Sequence, residues 1–178
     1  MHSEQKTFCN KTKIKFPESF KNKKVLDVGS LDINGNNRYL FDDCNYIGID
    51  LGPGENVDIV CPAHKFKGEF DTIISTEAFE HDIHFEESLQ RITELLNPGG
   101  LFLFTCATWG RYEHGTKETT PDDSPFTNEH YRNISEGEVR TAIDIDYIFK
   151  RYRFEVNFNP NDLYFWGIKG DSNHVEKI

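Results

Sequence analysis

Apolar residues come in short runs from residue 23 onward, and the period of those runs alternates along the chain. Val25-Leu26-Asp27-Val28-Gly29 is a compact apolar run that stops at glycine, the pattern of a buried strand entering a turn. Tyr46-Ile47-Gly48-Ile49-Asp50 reads as a second strand, 57–60 as a very short third, and Phe70-Asp71-Thr72-Ile73-Ile74-Ser75 as a fourth. Between the first two, residues 36–43 read as a short helix. Over 82–96 the period changes. Phe85, Leu89, Ile92 and Leu96 fall at i, i+4, i+7 and i+11, one apolar helical stripe, and Asn97-Pro98-Gly99-Gly100 stops it. Residues 101–106 are again strand-like. Ser135-Glu136-Gly137-Glu138 has capping-box spacing and opens a helix through Val139, Ala142 and Ile143. Two late strands, 152–158 and 163–168, are joined by Asn159-Pro160-Asn161-Asp162 as a hairpin.

Strands separated by helices predict an α/β fold, a doubly wound and mostly parallel sheet with helices on both faces. The terminal hairpin adds antiparallel strands at one edge. The length of 178 residues suits one domain over 23–178. Ligands of such sheets bind at the carboxyl ends of the strands, near the point where the strand order reverses.

Charge changes the picture at the N-terminus. The net charge is -10, yet the first 24 residues carry seven Lys against Glu4 and Glu18. A solvated, partly mobile basic arm over residues 1–22 is expected. The rest of the chain is strongly acidic, which disfavours nucleic acid and anionic membranes as partners. No apolar run is long enough to span a bilayer, and the start lacks the apolar core of a secretory signal. Cys9, Cys44, Cys61 and Cys106 are scattered with no Cys-x-x-Cys pair. That spacing suggests neither a zinc site nor a disulfide framework, and it fits a reducing, cytoplasmic setting.

Three features fall at the predicted carboxyl ends. They are the glycine turn Asp27-Val28-Gly29-Ser30, the carboxylate Asp50 closing the next strand, and Ser75-Thr76-Glu77-Ala78-Phe79-Glu80-His81 after the fourth. A glycine after a strand permits close backbone approach to a ligand. A carboxylate about 20 residues further on is placed to accept ribose hydroxyls. Together with Leu96-Asn97-Pro98-Gly99-Gly100-Leu101, these segments resemble, in order and spacing, a class I S-adenosylmethionine-dependent methyltransferase over about residues 23–108. The shortened pattern Gly29-Ser30-x-Asp32-x-Asn34-Gly35 is similar to a small type-11-like subgroup often encoded near glycan-assembly genes.

The resemblance implies a Rossmann-like fold, S-adenosylmethionine as cofactor, and roles for particular residues. Asp27, Gly29 and Ser30 would line the methionine end. Asp50 would hold the ribose and Leu51 would pack on the adenine. Ala63 or His64 would flank the adenine edge, with Cys61-Pro62 standing where an acidic residue is common. Thr76 would face the cofactor. A nicotinamide oxidoreductase is the rival on fold grounds, but Leu31 occupies the second glycine of its Gly-x-Gly-x-x-Gly turn.

The polar stretch 105–133 is too long for a plain connection and carries Trp109, Arg111, Tyr112, His114, His130, Tyr131 and Arg132. It reads as a lid or acceptor-binding loop. His81 and His114 are candidate bases for an oxygen acceptor, and Tyr131 could orient the acceptor or close the lid. The expected reaction is methyl transfer to a small-molecule or saccharide acceptor, at oxygen. The competing reading is a non-catalytic S-adenosylmethionine-binding module that serves a partner enzyme. No metal is expected. Asp122 and Asp123 are adjacent and do not converge on one ion, and His81-Asp82-Ile83-His84 is a weak pattern. The oligomeric state stays open.

Overall fold

The computed structural model describes residues 3–171. Seven strands form one sheet: β1 (Lys24–Val28), β2 (Asn45–Asp50), β3 (Ile59–Val60), β4 (Phe70–Thr76), β5 (Leu96–Ala107), β6 (Phe149–Asn157) and β7 (Asp162–Lys169). Their order is β3-β2-β1-β4-β5-β7-β6. The first five strands pair in parallel, and β7 pairs antiparallel with both β5 and β6. The order reverses between β1 and β4, so the switch point lies beside Val28 and Thr76. The architecture is the expected α/β sheet with an antiparallel C-terminal hairpin.

Alternation along the strands builds two cores. In β5, Phe102 and Phe104 pack on one face, with Leu26, Ile73, Phe165 and the helices α2 (Phe85–Leu95) and α3 (Glu136–Ala142). Leu101 and Leu103 pack on the other, with Val25, Ile74, Trp166 and Ile168. A short helix, α4 (Ile145–Ile148), leads directly into β6. The α2 stripe is buried at Phe85, Leu89 and Ile92, as its spacing predicts. Ser135 closes the expected capping box with Glu138.

The second face departs from expectation. The residues expected as a solvated arm form a helix, α1 (Ser3–Lys15), which covers the sheet. Gln5, Phe8, Cys9 and Thr12 make its buried stripe. Phe8 stacks on Tyr164 with ring centroids 4.8 Å apart, and Gln5 Nε2 donates to Thr105 Oγ1 at 3.0 Å. The Thr12 hydroxyl returns to the Phe8 carbonyl at 2.9 Å. The lysines keep the outer surface, and Lys15 lays its ammonium 4.0 Å from the Trp166 ring. Half of the buried stripe is polar, which hides it from a hydrophobicity pattern.

The expected helix at 36–43 is a single 3-10 turn, Arg38–Leu40. Asn36 Oδ1 accepts the Arg38 amide at 3.0 Å, a local bond that competes with helix formation. The Asn97-Pro98-Gly99-Gly100 stop lies inside β5, where the register against β4 shifts between Phe70 and Thr72. It absorbs four residues as a bulge before the buried run begins. Among the described residues, no helix is long and apolar enough to cross a membrane.

Candidate active site

A cavity of about 310 Å³ opens at the carboxyl ends of β1, β2 and β4. Its floor is the turn after β1. The amides of Gly29 and Ser30 both reach the Ile49 carbonyl at 3.0 Å, which pins the turn to β2. Gly29 has φ +74°, and a Cβ there would stand 2.3 Å from Ala78 Cβ. Only glycine lets the turns after β1 and β4 meet this closely.

Asp50 stands across the turn. Its carboxylate accepts the Leu31 amide at 3.0 Å and the Leu51 amide at 2.7 Å. Burial raises its pKa above the usual carboxylate range, opposed by those backbone donors. Leu51 is 45% exposed and Ile33 41%, yet both line the cavity, so they form an open apolar wall. Ala63, Cys61 and Pro62 flank the far edge.

Asp27 is buried at the switch point. Tyr46 Oη donates to it in a very short bond, and Asn37 Nδ2 lies 3.2 Å away. Burial is the main reason its pKa rises to about 7. Asn37 Nδ2 also reaches Thr76 Oγ1 at 3.0 Å, so one amide ties β1 to β4. Ser30 lines the cavity, but its hydroxyl points to the Asn56 carbonyl at 3.2 Å.

The opposite end is titratable. His81 follows β4 on a 3-10 turn, Phe79–His81. Its Nδ1 lies 3.3 Å from the His130 carbonyl. Burial, reinforced by neighbouring His114, pushes its pKa down to about 4 against that hydrogen bond. His114 comes from the loop after β5, and its ring centroid lies 5.4 Å from that of His81. Glu80 beside them is fully buried; burial first, then the charge of Glu77, raises its pKa well above the usual range.

The structure brings Asp27, Gly29, Ser30, Asp50, Leu51, Ala63, Thr76, His81 and His114 to one cavity. It does not bring two of the expected residues there. His64 faces away, its ring 4.3 Å from that of His84, because successive residues of the 3-10 turn Ala63–Lys65 point about 120° apart. Tyr131 stands behind the histidines, its ring 4.9 Å from His114. Its hydroxyl lies 2.9 Å from Asn133 Oδ1 and 3.2 Å from the Tyr112 carbonyl. Tyr131 is therefore placed to position His114 instead of touching an acceptor. In the 105–133 loop, Arg111, His114 and residues 123–127 line the cavity, whereas Trp109 and Tyr112 are 75% and 91% exposed. Asn37, Tyr46 and Glu80 were not expected from sequence. Glu80 carried a usable signal, since it adjoins His81 in the segment after β4.

The family model of the methyltransferase domain matches residues 1–143. The chain belongs to this family. No curated protein sequence matches it. Solved methyltransferases share its fold. The Burkholderia thailandensis 1,6-didemethyltoxoflavin-N1-methyltransferase, with its substrate and S-adenosylhomocysteine bound, superposes with a TM-score of 0.66 at 15% identity. That match covers 95% of this chain and 79% of the other. The Synechocystis PCC 6803 magnesium protoporphyrin IX methyltransferase with bound S-adenosylhomocysteine gives 0.62 at 11% identity, over 94% and 84% of the two chains. The Bradyrhizobium japonicum WM9 N-methyltransferase NodS gives 0.60 at 13% identity, over 93% and 87%. At these identities the likeness is one of fold. The methyltransferase cavity lies where the reversed strand order puts it, and its residues fit a nucleoside with a charged tail. Asp50 offers a carboxylate for hydroxyls, Leu51 and Ile33 offer an apolar wall, and the Gly29 turn leaves room where a side chain would intrude.

Proposed function

We propose that this methyltransferase transfers the methyl group of S-adenosylmethionine to a hydroxyl oxygen of a small-molecule or saccharide acceptor. The observation that carries the reading is the placement of Asp50. A half-buried carboxylate hangs on the Leu31 and Leu51 amides at the mouth of a glycine-floored cavity, opposite an apolar wall. When bound, S-adenosylmethionine supplies an electrophilic sulfonium methyl group. Asp50 accepts the ribose hydroxyls, and Leu51 with Ala63 encloses the base. Asp27, beside the Gly29 turn, provides negative potential for the ammonium of the methionine tail. His81 and His114 stand beyond that tail, where an acceptor hydroxyl is oriented and gives up its proton. Transfer requires oxygen, methyl and sulfur in line with water excluded. Residues 123–127 at the cavity rim supply cover for that step.

A hydroxyl acceptor is favoured because two imidazoles and a carboxylate converge at the acceptor end. A cytoplasmic setting is supported by four free cysteines, two of them buried. The test is a thermal melt with S-adenosylhomocysteine. Ligand at 100 times its dissociation constant stabilises by about 2.7 kcal/mol. Wild type shifts upward. Asp50→Asn, which keeps one acceptor oxygen for the turn, loses most of the shift. Absence of a shift in wild type sinks the reading. A chain that binds S-adenosylhomocysteine but methylates no member of a panel of hydroxylated small molecules and saccharides is instead a cofactor-binding module.

A further inference from the structure

Glu80, His81 and His114 each place one potential ligand atom within 4.8 Å of the other two. Two come from the turn after β4 and one from the loop after β5. The orientation of both rings is set from behind. His81 Nδ1 lies 3.3 Å from the His130 carbonyl, and His114 Nδ1 lies 3.1 Å from the Tyr112 carbonyl. A carbonyl only accepts, so both Nδ1 atoms carry the proton. In the neutral tautomer this leaves the Nε2 lone pair of each ring available to a metal, and His114 Nε2 is 4.0 Å from Glu80 Oε1. Backbone acceptors behind a histidine are the usual support of a metal-ligating imidazole. The carboxylate adds an independent sign. Glu80 Oε1 accepts the Ala107 amide at 3.2 Å, while Oε2 is fully buried with no hydrogen-bond partner. Gly115, with φ +67°, lies against the His81 ring edge, where a Cβ would approach Nε2 to 3.1 Å.

We propose that the Nε2 atoms of His81 and His114 and the carboxylate of Glu80 form a binding site for one first-row transition dication. Two imidazoles and one carboxylate suit zinc, cobalt, iron or manganese, whereas magnesium and calcium prefer all-oxygen sets. Metal–nitrogen bonds of about 2.0–2.1 Å place tetrahedral ligands about 3.4 Å apart. The Glu80–His114 gap of 4.0 Å closes by a small side-chain rotation. Three protein ligands leave a coordination position open toward the cavity. This use of the site rests on the methyl-transfer reading above. The ion would hold the acceptor hydroxyl and lower its pKa. The histidines then serve as ligands, and the proton leaves to solvent. From sequence, Asp122-Asp123 and His81–His84 are weighed as metal ligands and set aside, and no metal is expected. The fold instead joins His81 to Glu80 and His114, and turns His84 toward His64.

The test is Co²⁺ titration of the full, untagged chain, read by the visible d–d absorption of bound cobalt and by competition with Zn²⁺. One Co²⁺ per chain is expected, displaced by Zn²⁺ and unaffected by equal Mg²⁺. His114 sits on the loop, so His114→Ala is the variant least harmful to folding. It should weaken Co²⁺ at least about tenfold, the lower end of losses seen even for supporting residues. Far-UV circular dichroism confirms the fold of each variant. No d–d band in wild type, or equal affinity in His114→Ala, overturns the site. Binding lost in His84→Ala but kept in His114→Ala assigns the ion to the His64–His84 pair and also overturns it. S-adenosylhomocysteine binding is measured on the same samples. Its failure would count against the cofactor reading and leave the metal result standing.

Discussion

Gly29→Ala attacks the contact on which the cavity floor depends. Two costs arise. The residue holds φ +74°, and a side chain in the left-handed region costs about 1–2 kcal/mol. The new Cβ also falls 2.3 Å from Ala78 Cβ, so the turns after β1 and β4 must separate. Overpacking of this kind costs about 1–3 kcal/mol. A combined loss near 3 kcal/mol lowers the melting midpoint of a chain this size by roughly 6–12 °C. The two costs separate in a double-mutant cycle. Ala78→Gly removes the overlap but leaves the backbone strain. In the Gly29→Ala background it should recover about 1–3 kcal/mol, measured by urea unfolding. A coupling below about 0.5 kcal/mol, the ordinary scatter of independent sites, would refute the close approach. A Gly29→Ala variant with unchanged stability would refute both terms.

Asp27 makes stability pH-dependent. Its pKa rises on folding from 3.8 to about 7, so its favourable contribution is complete below its unfolded value and is lost as pH climbs through 7. Asp27→Asn should therefore fall less in stability between pH 5 and pH 8 than wild type does, as read from urea midpoints. An equal fall in both proteins would exonerate Asp27. Phe8→Ala empties the seat of α1 against Tyr164 and should cost about 3–5 kcal/mol in chemical denaturation. A truly solvated arm would show no change. Ser135→Ala removes the hydroxyl half of the capping box on α3, leaving the Ser135 amide on the Glu138 carboxylate, and should cost about 1 kcal/mol, with Ser135→Asp recovering most of it.

The parallel strands were legible because they are short apolar runs closed by a turn residue, and β6 because aromatic and charged residues alternate along it. α2 was legible because Phe85, Leu89 and Ile92 keep helical spacing even though Ser88 and Thr93 are buried beside them. α1 was not, since two of its four buried positions are Gln5 and Thr12, which bury only because Thr105 and a backbone carbonyl satisfy them. In the site, Gly29 and Asp50 could be placed from sequence because strand ends fix them. His64 could not, because one step along a 3-10 turn swings a side chain by about 120°. The Glu80–His114 approach joins residues from different crossovers, and no local pattern encodes it.

The loop after β5 shows how a chain this short walls off its site. Both its ends are pinned. Arg111 pairs with buried Asp162 at 2.9 Å, and the Ile134 amide reaches the Ala107 carbonyl at 2.8 Å. The Arg132 amide donates to the Glu80 carbonyl at 2.9 Å. The middle of the loop bonds largely to itself, through Lys117 to Asn128 and Thr116 to Thr119. The segment between His114 and His130 is thereby joined to the body at both ends. His114 is held by the Tyr112 carbonyl at 3.1 Å, and the rim segment 123–127 is seated on the turn after β2, where a Cβ on Gly52 would meet the Phe126 ring at 2.2 Å. The rim thus leans on the Asp50–Gly52 side of the cavity, so Phe126→Ala should weaken S-adenosylhomocysteine binding, read by the thermal shift, and leave the His81–His114 geometry in place; an unchanged shift would refute this placement of the rim.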